Sequence, residues 1–463
     1  MFPLLIKILL EKNQKRPTFC FTCLFVIKQF KKGLIFKLLC VIMKTAIKRR
    51  CVFMSYKELK SLYYGDNAVY AQEYLNRFNS EETIKINFHI GENQAFFVQN
   101  TEVMTLAYKI AKLDKEIGKL CDALPGVAID QYSKKCLIDE IVITNKIEGV
   151  HSSRKEIGEA LDVLETQSKT RGKHQRFISL VNKYLKLIKN ELISLECCKD
   201  IRDIYDEVFL EEVVNEEPNN NPDGKIFRKE SVSVHSETDK VIHIGLTPES
   251  KIIEATTFAL QFLNDDSMEE LFRVCIFHYL IEYIHPFYDG NGRLGRFILS
   301  YGISKVLSPL ISLRISETIK ENINAYYTAF KTCNDQRNLG DLTPFLLMQL
   351  NMILISMKEL KKSLQQKLAT WNKYEKAIEA RCDDFELLKL YSYLIQAALF
   401  SEKGISMLEL QENMKKSNYM VKCLLDKIPE EMVVIKKKSN FKFYSINLEK
   451  LNKIILEESI EKL

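Results

Sequence analysis

The chain has 463 residues, a length that predicts two or three compact domains rather than one. Hydrophobic residues make up 46% and charged residues 28%, and Gly (16) and Pro (10) are sparse, which excludes wholesale disorder and favours helices over a sandwich or barrel. The net charge of +6 arises in residues 1–53, where twelve Lys or Arg and a single acid contribute +11. The remainder of the chain therefore carries −5, and a mildly acidic chain gives no general reason to expect nucleic-acid binding.

Residues 1–53 differ in composition from the rest of the chain. Their apolar runs are shorter than the run of about 20 apolar residues that a membrane-spanning helix needs, so no span is predicted. Two interpretations remain: a basic segment that lies on a membrane surface, or, as we favour, a stretch upstream of a true start of translation at Met54. The twelve cysteines lack disulfide or metal-site spacing, which indicates reduced thiols and a cytoplasmic location.

Residues 54–200 are predicted to form an N-terminal helical region. Apolar side chains recur at helical spacing over Leu106–Leu120, and a second helix is expected to follow Pro125 and run towards Ile147. The polar, Asn- and Pro-rich stretch Glu211–Gly224 interrupts the helical pattern and is predicted to be a loop.

Residues 201–370 are predicted to form a second domain, which is helical except for one β-hairpin. The hairpin is indicated by alternating apolar and polar residues in Lys225–Val234, followed by the short apolar run Val241–Ile244. Helical patterns resume at Glu249, and one of these helices is expected to stop before Pro286.

The tail, residues 380–463, has a different pattern. Three helical stretches precede two strand-like runs, Met432–Lys436 and Phe441–Ile446. This order of helices and hairpin resembles a winged helix. The chain as a whole is therefore predicted to be mainly α, with a small hairpin in the central domain and a winged-helix-like module at the C-terminal end.

A twelve-residue stretch in the central domain, HPFYDGNGRLGR, has the composition of an anion site. Gly290, Asn291 and Gly292 lie where a helix is expected to begin, so their backbone N–H groups are free and unobstructed, and the helix N-terminus favours negative charge. Arg293 and Arg296 are three residues apart, which places both on one helix face, where they can hold the same polyphosphate.

The residues ahead of this cradle supply the chemistry. Asp289 can hold Mg²⁺ against phosphates, because carboxylate oxygen is a ligand that this hard cation prefers. His285 ends a helix at Pro286, and its usual pKa range suits a general base near neutral pH. Each feature alone is more often structural, as a cap, a turn or a solvated face. Their occurrence together in one order favours catalysis by positioning and charge neutralisation.

The stretch resembles the signature of the Fic family, HPFx[D/E]GNGRxxR, and matches every specified position. The resemblance extends over roughly Leu106 to Leu350 and implies an all-helical Fic core. It implies that His285 accepts the proton of a target Ser, Thr or Tyr hydroxyl, whose oxygen attacks the α-phosphate of ATP and expels pyrophosphate. It further implies that Asp289 binds Mg²⁺, that Asn291 contacts the α-phosphate, and that both arginines neutralise the outer phosphates.

Two further segments resemble nucleotide- or target-binding parts of the family. The hairpin resembles the family's flap, whose edge would hold a target peptide by main-chain pairing. Its residues expected nearest the nucleotide are Val232, Ser233, Val234 and His235. Downstream, Tyr326 and Asn334 have the spacing expected for contacts to the base and ribose. The alternatives are a surface hairpin without a partner and tyrosines that belong to the edge of the core.

The segment ITNKIEGV, residues 143–150, points to an internal inhibitor. Thr144 and Glu148 are four residues apart and share a helix face, and Gly149 is a plausible helix stop. The segment resembles the family's inhibitory motif, [S/T]xxxE[G/N], in the class whose inhibitory helix precedes the Fic core. The resemblance implies that Glu148 pairs with Arg296 and occupies the place of the γ-phosphate, so that the resting enzyme is weakly active.

Alternative functions remain beside protein AMP transfer. One is the reverse chemistry, in which Glu148 orients a water that removes AMP from a modified protein. Another is a transcription regulator that uses the winged-helix-like module, although only Lys422, Lys427 and a lysine-rich turn are candidate phosphate contacts. The expected partners are ATP and a target protein. Self-modification, a homodimer and nucleic acid at the C-terminal module are left open, and no membrane partner is expected.

Overall fold

A computed structural model describes residues 56–166, 175–235, 241–438 and 441–461, and the prediction for residues 1–53 lies outside them. Contacts within the chain separate Met1–Lys57 from Glu58–Leu463, and every helix and strand of the described residues belongs to the second unit. The fold is mainly α, as predicted. No helix in the part of the chain that the structure describes is both long and apolar enough to cross a membrane.

The N-terminal region contains a β-hairpin that the sequence analysis missed. Its elements are α1 (Leu59–Tyr63), α2 (Asn67–Phe78), β1 (Thr83–Ile90) and β2 (Asn93–Val98). The two strands are antiparallel, and β1 buries alternate side chains, Ile86, Phe88 and Ile90. The backbone of Phe96 then bonds to Gly340 and Leu342, which joins this hairpin to the helical body. The signal in the sequence was the period-2 alternation ahead of Gly91.

Six helices follow and lead to the central domain. They are α3 (Thr101–Asp122), α4 (Gly126–Ile147), α5 (Arg154–Thr166), α6 (Ile178–Ile188), α7 (Cys198–Tyr205) and α8 (Glu211–Glu216). The prediction of a helix from Pro125 to Ile147 is confirmed. The prediction of a loop over Glu211–Gly224 is wrong in its first half, because α8 buries Val213, which is 1% exposed, and continues from a π-helical turn, Asp206–Leu210.

The central helices surround one helix that is buried over most of its length. The elements are β3 (Ser233–His235), β4 (Val241–Ile244), α9 (Glu249–Leu263), α10 (Glu270–Ile284), α11 (Asn291–Val306), α12 (Pro309–Ser312), α13 (Ile315–Glu321), α14 (Ile323–Asn334) and α15 (Thr343–Glu379). Helix α10 is apolar on nearly every face and packs against α9, α11 and α15. It ends before Pro286, as predicted, and thereby brings His285 to the start of α11.

The C-terminal elements have the helix-helix-helix-hairpin order that the sequence predicts. They are α16 (Phe385–Phe400), β5 (Ile405–Ser406), α17 (Met407–Met414), α18 (Asn418–Leu425), β6 (Val433–Lys438), β7 (Phe441–Ile446) and α19 (Leu448–Glu461). The strands form one antiparallel sheet in the order β5-β7-β6. Helix α16 packs against α15 and α4, so the tail contacts the same helix that carries the predicted inhibitory motif at its other end.

The long helix α15 provides a test of the core. Leu350 is 0% exposed, whereas Leu192, in the connection between α6 and α7, is 87% exposed. We expect Leu350→Ala to lower the free energy of unfolding by about 2–5 kcal/mol, since it removes buried methyl groups and leaves a cavity. Leu192→Ala should leave it nearly unchanged. Urea midpoints of the two variants measure the difference, and equal midpoints would contradict this placement of α15.

Candidate active site

The site begins at the end of α10, where the helix stops at His285. The N–H of His285 still donates to the carbonyl of Ile281 at 3.0 Å, but its backbone turns to φ 53° and ψ 63°, in the left-handed region. A residue other than glycine adopts this conformation only when the surrounding structure holds it there, and such residues cluster at functional sites. The turn directs the chain from α10 into the Gly-rich segment.

The imidazole of His285 is partly buried. Its Nδ1 lies 3.4 Å from the carbonyl oxygen of Glu282. Loss of hydration, followed by the effects of His243 and Arg228, lowers the pKa of His285 to about 4. The expected near-neutral pKa is therefore corrected, because burial disfavours the imidazolium. The ring is unprotonated at physiological pH and free to accept a proton.

The Gly-rich segment forms a helix N-terminus with open N–H groups. Gly290 is the N-cap of α11 at φ 77°, and the first-turn amides that follow it have no intrahelical acceptor. The side chain of Asn291 is already bonded at both ends: Oδ1 accepts from Phe287 N at 2.9 Å and Nδ2 donates to Phe287 O at 2.8 Å. The side chain of Asn291 thus stabilises the turn, and the open backbone N–H groups of the first turn of α11, which form the cradle, can bind an anion.

Asp289 lies at the rim of this cradle. Its backbone carbonyl accepts from the hydroxyl of Tyr205 at 3.1 Å, and its side chain is exposed. No cluster of three or more His, Cys, Asp or Glu that could hold a metal occurs among the described residues. One exposed carboxylate beside an anion site fits Mg²⁺, which uses one or two protein carboxylates and takes its other ligands from phosphates and water.

Arg296 is held by the end of α4. It is 2% exposed; its Nη2 lies 2.8 Å from Glu148 Oε1, and its Nε donates to Thr144 Oγ1 at 2.9 Å. Burial opposes the charge of this guanidinium, but its neighbours together, with the carboxylate of Glu148 first among them, outweigh burial and raise the pKa of Arg296. A side chain at Gly292 would collide with the same carboxylate. The structure therefore brings the predicted motif, Thr144 and Glu148, against both the second arginine and the cradle.

Arg293 is paired in the same way by a residue that the sequence analysis missed. Its Nη1 contacts the carboxylate of Glu212 on α8, and both side chains are under 10% exposed. Its guanidinium also lies over the ring of Phe209, 5.3 Å from the centroid. Glu212 is bonded in turn by Arg176 at 2.9 Å. No local pattern marks Glu212, because its partner follows 81 residues later in the chain.

The flap lies beside His285. Strand β3 pairs with β4 in antiparallel register, Ser233 opposite Ile244, and Gly245 N donates to Val232 O at 3.0 Å. The predicted long strand is reduced to three residues, since the chain before it turns inward and buries Phe227. The side chains of Val234 and His235 fall outside the described part of the chain, as do residues 236–240.

The two residues expected at the adenosine are engaged in the interior. Tyr326 is 3% exposed, and its hydroxyl is 2.8 Å from Nε2 of His278. Asn334 accepts from the hydroxyl of Tyr279 at 2.5 Å. In this conformation Tyr326 offers little area for a base to stack on, in agreement with the alternative that it belongs to the core. His278 is a buried helix residue that packs against the rings of Tyr326 and Phe330. Both nucleotide contacts stay predictions.

The lysines of the C-terminal module are partly engaged within the chain. Lys427 forms an ion pair with Asp384 at 2.8 Å, and Lys436 donates to the carbonyl of Glu402 at 3.1 Å. Lys422 is exposed. Fewer free ammonium groups remain for phosphates than the sequence alone indicates, and nucleic-acid binding stays a prediction.

Comparisons with known proteins point to one family. The model of the Fic/DOC family matches residues 196–301. The chain is similar to the Protein adenylyltransferase fic-1 of Caenorhabditis briggsae, at 35% identity over 97 residues that cover 20% of this chain and 17% of that protein. It is also similar to the Protein adenylyltransferase fic-1 of Caenorhabditis elegans, at 34% identity over 110 residues, with 22% and 20% covered. The match thus spans at most about a fifth of these curated relatives.

Two solved structures are also similar. A Fic family protein from Desulfovibrio desulfuricans G20 superimposes with a TM-score of 0.42 at 18% identity and covers 73% of this chain and 96% of that one. Residues 134–508 of Fic-1 from C. elegans superimpose with a TM-score of 0.37 at 20% identity, covering 57% of this chain and 74% of that one.

Proposed function

We propose that this chain, whose residues 196–301 match the model of the Fic/DOC family, is a protein adenylyltransferase that transfers AMP from ATP to a protein hydroxyl. The observation that carries the proposal is the junction of α10 and α11, where His285 lies next to a helix N-terminus and two buried arginines. Relatives named as protein adenylyltransferases support the reaction class.

His285 acts in this proposal as the general base. Its unprotonated ring accepts the proton of a Ser, Thr or Tyr hydroxyl as the oxygen attacks the α-phosphorus of ATP. A bond forms between that oxygen and phosphorus, the bond to the β-phosphate oxygen breaks, and pyrophosphate leaves with its electron pair. The proton stays on the imidazole until solvent removes it. Because burial keeps the ring neutral, the base is ready over a wide range of pH.

The cradle and the arginines neutralise the triphosphate. Free amides in the first turn of α11 donate to phosphate oxygens, and Arg293 and Arg296 can form charge-assisted bonds with the outer phosphates. Asp289 would hold Mg²⁺ at the rim, and the ion supplies charge neutralisation between the phosphates. These groups position the nucleotide more than they react with it, as is usual in phosphoryl and nucleotidyl transfer.

The flap is proposed to bind the target. Strand β3 is short and pairs with β4 on one side only among the described residues. An extended segment of a target protein can add to its other edge through backbone hydrogen bonds, which bind with little dependence on side chains. Such pairing would bring a hydroxyl towards His285, since Gly245, at the end of β4, lies against that residue.

Two carboxylates form ion pairs with the arginines that would bind the phosphates of ATP. Glu148 holds Arg296 and Glu212 holds Arg293, so ATP must displace them or bind in an unproductive pose. Glu148 also lies against Gly292, inside the cradle, where its charge repels phosphate. We therefore propose that the resting protein is inhibited by Glu148, with the end of α4 as the inhibitory element.

The position of the label distinguishes AMP transfer from phosphoryl transfer. The Glu148→Gly protein, incubated with Mg²⁺ and a cell extract, is expected to label a protein from ATP carrying ³²P in the α position and not from ATP labelled in the γ position. Mass spectrometry should then find AMP on a hydroxyl. Label from the γ position alone would refute the proposal.

Glu212 gives a further prediction within the same site. We expect Glu212→Gln to lower the KM for ATP about threefold to tenfold in the Glu148→Gly background, because the charged hydrogen bond that competes with phosphate for Arg293 is weakened. The matched control is Glu216→Gln on the same helix, whose carboxylate is 56% exposed and lies 3.5 Å from Arg176. An unchanged KM in Glu212→Gln would show that this pair does not compete with ATP.

A further inference from the structure

Arg228 is a buried cation without a carboxylate partner in the described part of the chain. It is 0% exposed, and none of the ion pairs among the described residues includes it. Burial without a counter-charge lowers its pKa to about 10. A buried, unpaired guanidinium is costly, because the hydration that it loses is not replaced by an anion. The groups that Arg228 contacts should therefore explain why a charged side chain is buried at this position.

Most of the hydrogen bonds of Arg228 go to the turn that carries His285. The Nε of Arg228 donates to the carbonyl of His285 at 2.9 Å, its backbone N donates to the carbonyl of Pro286 at 3.3 Å, and Nη1 bonds to the carbonyl of Glu230. Nη2 is buried and has no hydrogen-bond partner. Arg228 is thus bonded to both carbonyls of the turn in which His285 takes its left-handed conformation.

A glycine permits this close approach. A side chain at Gly245 would collide with Nη2 of Arg228 and lie 2.9 Å from Cβ of His285. The guanidinium and the catalytic side chain therefore flank the same empty position at the end of β4. An alanine there would push one of them away.

The other titratable groups around His285 come from three elements. His243 on β4 holds its Nε2 2.6 Å from the carbonyl of Tyr283, and Glu148 approaches from the end of α4. Glu282 on α10 is adjacent to both Arg296 and Glu148. Arg228 differs from these groups because it is a cation at every physiological pH. The carboxylate of Glu148, in contrast, must move away from the site when ATP binds.

We propose that Arg228 is a positioning residue for the transfer reaction: it fixes the backbone of His285 and holds a positive charge beside the ring. This inference rests on the proposed role of His285 as the base. It assigns the first part of the flap segment a function distinct from target binding. Arg228 acts through His285 and does not itself react.

The test removes the charge of Arg228 in one variant and keeps it in another. Arg228→Met fills a similar volume without the charge or the side-chain hydrogen bonds, and its circular dichroism spectrum shows whether it folds. Arg228→Lys keeps the charge. NMR titration of the full chain, labelled at histidine ring carbons and assigned with His285→Ala, reports the pKa of His285. We expect the ring pKa to rise in Arg228→Met, because a neighbouring positive charge is lost, and to stay near the parent's in Arg228→Lys.

Lys229→Met is the matched control. Lys229 is the next residue and is exposed, so removing its charge should leave the ring pKa unchanged. In the Glu148→Gly background, the acid limb of the pH profile of kcat/KM should move to higher pH with Arg228→Met. A folded Arg228→Met protein with the parent's ring pKa would overturn the inference, as would Arg228→Lys titrating like Arg228→Met. The ring titration needs no substrate, so it tests the inference about Arg228 independently of enzyme activity. A failure of the proposed function would be seen in a different measurement, as AMP transfer that survives His285→Ala.

Discussion

His285→Ala is expected to lower AMP transfer by about 10²–10⁴-fold, the usual contribution of a positioned general base. The attacking hydroxyl keeps its proton near neutral pH, and among the described residues the other histidine of α10 is not placed to remove it. That residue, His278, is fully buried, its Nε2 is bonded to Tyr326, and burial lowers its pKa to about 3. The measurement is the initial rate of incorporation of α-labelled AMP in the Glu148→Gly background, with Mg²⁺ and saturating ATP.

The control for this experiment is His89→Ala. His89 lies on β1 and is exposed, so its removal should change neither the fold nor the rate. ATP affinity should also survive in His285→Ala, because the cradle and both arginines remain. A variant that retains half of the parent's rate would show that the imidazole has no part in proton transfer.

Glu148→Gly is expected to raise AMP transfer or self-modification by about 10–100-fold. The reason is the ion pair with Arg296, which is 2.8 Å long and in which only the arginine is fully buried; a hydrogen bond to a charged group contributes about 1.5–3 kcal/mol. Removing the carboxylate frees Arg296 for the outer phosphate and clears the space beside Gly292. Rates measured at fixed ATP with α-labelled nucleotide report the gain.

Glu148→Gln is the matched variant for the charge. It keeps the length of the side chain and can still bond to Arg296, so it should raise the rate less than glycine does. Equal rates in the parent, Gln and Gly proteins would refute inhibition by this carboxylate. A loss of activity in Glu148→Gly, measured as slower release of AMP from a modified protein, would instead favour the reverse chemistry, in which Glu148 orients a water.

The local chemistry of the site was readable from the sequence alone. The helix end at Pro286, the start of α11 at Gly290 and the spacing of the two arginines all follow from residues within twelve positions, where steric and hydrogen-bond preferences decide the backbone. The helical periodicity of α3 and α4 depends likewise on neighbours three and four residues away. The pairing of Glu148 with Arg296 came from the family resemblance rather than from any local pattern.

The tertiary structure alone decided what surrounds these groups. Glu212 lies in a segment whose composition indicated a loop, and only the packing of α8 against Phe209 and Arg293 makes it a partner of the cradle. The unprotonated state of His285 depends mainly on dehydration, with smaller effects from His243 and from Arg228, which precedes it by 57 residues. Burial and charge are properties of distant chain segments brought together, because solvent exclusion and Coulomb interaction act across space rather than along the sequence.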